Sequence, residues 1–139
     1  MLIPVARAAL IGVVAPLALA GCSLGGDTEP QAVKGAPRQV AATVAALERA
    51  TRTRDYPSIC DRLFTASARR RSGGSDCSRL LASTAQGLTG PRIQILAIDI
   101  EGDRAKVKVR SRAAGQPPLV DTILLRRERG SYRIDSLEG

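Results

Sequence analysis

Glu101-Gly102-Asp103-Arg104-Ala105-Lys106-Val107-Lys108-Val109-Arg110 is the stretch that decides how this chain folds. Its first three residues form a tight turn. Beyond the turn, Ala105, Val107 and Val109 alternate with Arg104, Lys106, Lys108 and Arg110. A period of two puts apolar side chains on one face and cations on the other, as in a strand of an antiparallel sheet covered on one side only. Upstream, Ile93, Ile95 and Ala97 are followed by Ile98 and Ile100. The slip between these two registers predicts a strand carrying a bulge. Downstream, a loop from Ala113 to Pro118 leads to a third strand, Leu119 to Arg127. A turn over Glu128 to Ser131 then precedes a last strand through Tyr132, Ile134 and Ser136. Four consecutive strands joined mostly by short turns read as an antiparallel meander.

The preceding segment has a helical period. Val40, Val44, Leu47 and Thr51 recur at helical spacing behind Pro37, which suits a first helical turn, and predict a helix from Arg38 to Thr53. Asp55-Tyr56-Pro57 breaks and restarts the chain, with Asp55 a cap for a second helix whose face carries Ile59, Cys60, Leu63 and Phe64. This helix is expected to end at Arg69–Arg71, where cations suit a helix C-terminus. Ser72-Gly73-Gly74 turns the chain. Ser75 or Asp76 then caps a third helix with Cys77, Leu80, Leu81, Thr84 and Leu88. The expected fold class is α+β, with three N-terminal helices packed on one face of a four-stranded antiparallel meander.

The N-terminus of the 139-residue chain has a different character. Arg7 is followed by an uncharged run from Ala8 to Ala20, long enough for a signal sequence and too short to span a bilayer, which needs roughly 20 residues. Leu19-Ala20-Gly21-Cys22, at the end of that run, resembles a bacterial lipobox. The resemblance implies transfer of a diacylglyceryl group to the Cys22 thiol, cleavage before Cys22, acylation of the new amino group with a chain such as palmitate, and anchoring to a membrane outside the cytoplasm. Small residues at Ala20 and Gly21 would also fit ordinary secretion, with Cys22 incidental. Residues 1–21 are thus read as a lipoprotein signal peptide, 22–37 as a Gly/Pro/Ser-rich flexible tether, and 38–139 as one domain.

Three cysteines occur. With Cys22 acylated, Cys60 and Cys77 remain, and an oxidising compartment makes a disulfide between them the expectation. No His is present, so a metal site is not expected, and no Gly-rich phosphate loop calls for a nucleotide cofactor. The formal charge of +8 comes from clusters such as Arg69-Arg70-Arg71 and Arg126-Arg127 and from the alternating strand. The export signal and the lack of interleaved aromatics argue against nucleic acid, leaving a solvated basic surface or attraction to anionic headgroups or wall polymers.

The element order, with Gly102-Asp103-Arg104-Ala105-Lys106-Val107 and the closing Gly130-Ser131-Tyr132-Arg133-Ile134, resembles the small cone-shaped domains of the nuclear transport factor two-like superfamily. It is similar in particular to exported actinobacterial lipoproteins of that type, and the Arg-rich, Lys-poor composition fits a GC-rich genome. The resemblance covers about residues 38–137 and implies a cone-like, cystatin-like roll with a pocket between helices and sheet. Many such lipoproteins carry a helix cysteine pair comparable to Cys60 and Cys77. Members include enzymes, binding modules and assembly domains, so fold alone does not assign function.

Two carboxylates fall within apolar strands and are weak catalytic candidates. Asp121 is in register with Leu119, Ile123 and Leu125; Asp99 is in register with Ile93, Ile95 and Ala97 unless the bulge turns it outward, opposite a cross-strand cation. A carboxylate facing an apolar pocket could act as a general base. No nucleophile motif or second acid completes a site. The expected function is a lipid-anchored envelope protein that binds a small apolar ligand or a partner protein without catalysis. The alternatives are a small isomerase, hydrolase or cyclase using Asp121 or Asp99, and a homodimer formed through the open sheet face.

Overall fold

The computed structural model describes residues 35–139; the leader, Cys22 and all but the end of the tether lie outside the described residues. Helix α1 runs Ala36–Thr53, two residues earlier than the apolar spacing alone predicts, with Pro37 in its first turn. It stops at Arg54, which adopts the left-handed conformation (φ 60°), and the Asp55 N–H closes the end by donating to the Ala50 carbonyl at 2.8 Å.

The expected second helix is split. Helix α2 (Tyr56–Ser58) passes into a π turn, Ile59–Leu63, and the chain then becomes extended at Phe64 (φ −82°, ψ 147°). Phe64 forms a parallel bridge with Ile134, and the Thr65 N–H donates to the Ile134 carbonyl at 2.9 Å. Thr65 then caps α3 (Ala66–Arg71), its Oγ1 accepting from the Ala68 N–H at 3.0 Å. A threonine hydroxyl that satisfies a free N–H starts a new helix instead of continuing the old one. Helix α4 (Cys77–Thr84) follows a 3₁₀ turn, Gly74–Asp76, and ends four residues before Leu88. Asp76 occupies the cap position, but its side chain makes no capping hydrogen bond. The described residues therefore hold four helices where three were expected, two of them pieces of one predicted segment.

Strands β1 (Arg92–Glu101), β2 (Arg104–Arg112), β3 (Leu119–Glu128) and β4 (Ser131–Glu138) form one antiparallel sheet in sequence order. Two register slips shape it. Ile95 pairs with Val109 while Ala97 pairs with Lys108, so the bulge expected in β1 has Leu96 as its extra residue, and Ala97, expected in register with Ile93 and Ile95, is exposed instead. Leu124 pairs with Ser136 while Leu125 pairs with Ile134, which makes Asp135 the extra residue in β4. The β3–β4 turn uses Arg129 (φ 52°) and Gly130 (φ 77°), both positive as a two-residue hairpin turn of the I′ kind requires.

Helix α1 lies across the inner face of the sheet. Val40 and Val44 are fully buried against Ala105, Val107, Val109, Ile123, Leu125, Tyr132 and Ile134. The core is aliphatic apart from Tyr132, whose hydroxyl escapes burial without a partner by donating to the Gly102 carbonyl at 2.9 Å.

Candidate functional site

A hollow of about 330 Å³ opens where α1 stops covering the sheet. Leu47 and Thr51 of α1 form one wall, Ile93, Val109 and Ile123 the sheet wall, and Leu88, Pro91 and Pro117 the rim. The period of α1 places Leu47 and Thr51 one turn apart on the core-facing stripe. Alternation in β1, β2 and β3 turns Ile93, Val109 and Ile123 the same way.

Asp121 is the carboxylate on this wall. It pairs with Val109 in the sheet, is half-buried, and its side chain takes part in no hydrogen bond or ion pair among the described residues. The inward register expected for it holds. Asp99 is different: the bulge at Leu96 inverts the alternation, so Asp99 is exposed on the outer face opposite Lys106 and does not line the hollow. The second candidate acid is removed from the pocket by a one-residue slip in register.

Cys60 and Cys77 are joined by a disulfide, with Cα atoms 6.1 Å apart and both residues buried. The bond ties the π turn to the start of α4. Cys22 lies outside the described residues, as does its lipidation.

Two polar centres escaped the reading of the sequence. Glu48, on α1, accepts a 2.7 Å hydrogen bond from the Ile93 N–H and lies 3.4 Å from Arg52 and from Arg92. It pins the start of β1 to the helix beside the hollow. Asp135 is turned toward the helix layer by its bulge; it accepts from Thr65 Oγ1 at 2.7 Å and lies 3.5 Å from Arg126 and 3.8 Å from Arg71. The Arg71 guanidinium also donates to the Asp135 carbonyl. The repeated cations at 69–71 hinted at such a partner, but nothing local marked Asp135.

A second, more polar hollow of about 370 Å³ lies between α3 and the β3–β4 turn, lined by Arg69, Arg70, Arg129 and Arg133 with Asp61 and Glu128. Its acids are already engaged: Asp61 lies 3.1 Å from Arg69, and Glu128 accepts from the Ala66 N–H at 3.2 Å.

The same backbone architecture occurs in solved structures. An NTF2-like protein of unknown function from Silicibacter pomeroyi superposes with a TM-score of 0.56 at 22% identity, over 73% of this chain and 91% of that one. The chain has the NTF2-like fold. A putative dehydratase of the NTF2-like family from Streptomyces avermitilis gives 0.53 at 16% identity, over 72% of this chain and 91% of the other. A putative NTF2-like transpeptidase from Campylobacter jejuni gives 0.51 at 15%, over 73% and 99%. No protein-family model matches the chain, and no curated protein does. The hollow at Asp121 lies on the face of the sheet that α1 packs against, and the cation-bearing face of β2 is the opposite one. At these identities the likeness concerns backbone architecture, and the differing descriptions of the three structures show that it does not carry one chemistry.

Proposed function

We propose that this chain is an exported, lipid-anchored cell-envelope protein whose cone domain binds a small apolar ligand, or an apolar segment of a partner protein, without catalysis. The observation that carries the binding half is the hollow between α1 and the sheet: preformed, mostly apolar, and holding a single carboxylate that no other polar group of the described residues engages. A nucleophile activated by a neighbouring base has no counterpart here, since among the described residues the Asp121 side chain has no hydrogen-bond or ion-pair partner, which supports binding over covalent catalysis. The export half is supported by the lipobox-like Leu19-Ala20-Gly21-Cys22 and by the pairing of the other two cysteines, which suits an oxidising compartment.

Titration with a neutral fluorescent hydrophobic dye tests the binding half. Saturable binding that Ile93→Trp abolishes by filling the hollow is expected. Unchanged dye binding in that variant would sink this reading. Mass measurement of the mature N-terminus tests the export half, and an unmodified Cys22 behind an intact leader would refute it.

A second reading, a small enzyme using Asp121 as a base, is favoured by the position of that carboxylate inside the cone. It requires turnover lost in Asp121→Asn with dye binding retained.

A further inference from the structure

We propose that the outer face of the sheet docks on an anionic phospholipid bilayer, through the row Arg104, Lys106, Lys108, Arg110 and Arg112. Arg104, Lys106, Lys108 and Arg110 alternate along β2 with the buried Ala105, Val107 and Val109, so they project from the face that α1 leaves uncovered, while Arg112 ends the row where the strand also borders the hollow. Successive cations are about 6.8 Å apart along the strand. Among the described residues none of the five is in an ion pair. Asp99 lies opposite Lys106, Glu101 opposite Arg104 and Arg92 opposite Arg112, so these five positions and their β1 partners keep a net charge of +4. At both ends the row meets another arginine directly across the sheet, Arg126 opposite Arg104 and Arg92 opposite Arg112, but those two are already paired with Asp135 and Glu48, which leaves the β2 cations as the uncompensated charges. An external polyanion would compensate them.

The charge pattern also selects among occupants. A second copy meeting this face about a two-fold axis would set the row against itself. An anionic bilayer presents a flat field of opposite sign that matches a sheet face. Geometry permits the contact, since the 13 residues from Cys22 to Gly35 cannot span more than about 45 Å in any conformation. An acylated chain would hold the domain within that distance of the membrane. Docking thus takes its setting from the lipid anchor proposed above, while the charged face can be tested without it.

The test uses the full chain carrying Cys22→Ser, which cannot be acylated, in co-sedimentation with vesicles of phosphatidylcholine alone or mixed with phosphatidylglycerol. Binding to the anionic vesicles only, lost at about 0.5 M salt, is expected. Lys106→Gln with Lys108→Gln should weaken it about 25-fold. Arg49→Gln with Arg70→Gln, an equal charge loss among the helices, should weaken it no more than about 2-fold. All four residues are exposed, so unchanged melting temperatures check that each variant folds. Equal binding to both kinds of vesicle, equal losses in the two double variants, or equally tight binding to soluble polyphosphate would each overturn the proposal. Because the thiol is absent from every sample, these results are independent of whether Cys22 is acylated in the cell.

Discussion

Thr65 Oγ1 donates to Asp135 Oδ1 at 2.7 Å, joining positions 70 residues apart, while the same oxygen accepts from the Ala68 N–H. One hydroxyl thus ends the extended link at Phe64, starts α3 and fastens the helix layer to the bulge of β4. Thr65 is 1% exposed, so water cannot replace either bond. Thr65→Val, which keeps the shape, is expected to destabilise the domain by about 2–3 kcal/mol, combining a lost cap with a lost hydrogen bond to a carboxylate. Thr65→Ser should recover most of this. Urea denaturation of the three proteins measures it, and a Val variant as stable as the parent would show the contact to be unimportant.

The Cys60–Cys77 bond closes a short loop, with a sequence separation of 17. Chain-entropy arguments assign such a loop about 3 kcal/mol. For a domain of roughly a hundred residues with an aliphatic core, that is a large share of a total of about 5–15 kcal/mol. Adding reductant, or replacing both cysteines by serine, is expected to lower the denaturation midpoint by matching amounts. A midpoint indifferent to reductant would contradict the estimate.

Asp55 caps α2, and its carboxyl pKa lies below the ordinary 3.8, chiefly through hydrogen bonds with Ser58, with a smaller contribution from Arg62. The folded value is the lower one, so the cap's contribution is present above pH 3.8 and is lost as pH falls through the folded value. A titration of the Asp55 carboxyl carbon by NMR should give a midpoint under 3.8, and Ser58→Ala should move it upward. A midpoint at or above 3.8 in the parent would be inconsistent with this geometry.

Among the described residues Asp121 is the one acid on the wall of the hollow and has no hydrogen-bond or ion-pair partner to lose. Asp121→Leu should therefore change stability by less than about 1 kcal/mol while tightening binding of a neutral apolar dye, because the new wall adds apolar contact area. Asp99→Leu, on the outer face, should leave dye binding unchanged. If both variants bind alike, the hollow is not where the dye sits.

Periodicity and turn chemistry suffice for much of this architecture. Alternation in 104–110 states which face of β2 is buried, the slip between Ala97 and Ile98 announces a bulge that the pairing places one residue earlier, at Leu96, and the spacing of Val40, Val44 and Leu47 sets the inner stripe of α1. These are local properties, since a strand's faces or a helix's stripe follow from neighbouring residues alone. Cysteine arithmetic likewise singled out Cys60 and Cys77, because once position 22 is set aside no other pair exists.

Tertiary structure decided what depends on residues distant in the chain. Phe64 turned extended because the edge of β4 offered it a partner 70 positions away, and this broke a segment that reads as one helix. Asp135 and Glu48 became fasteners only when the bulge and α1 brought them to Thr65 and Ile93. Asp99 and Asp121 look alike in sequence. One extra residue in β1 sent the first to the water-facing side, while unbroken pairing held the second inside the cone. Register inverts with every inserted residue, so which acid meets the hollow is settled by how the strands pair.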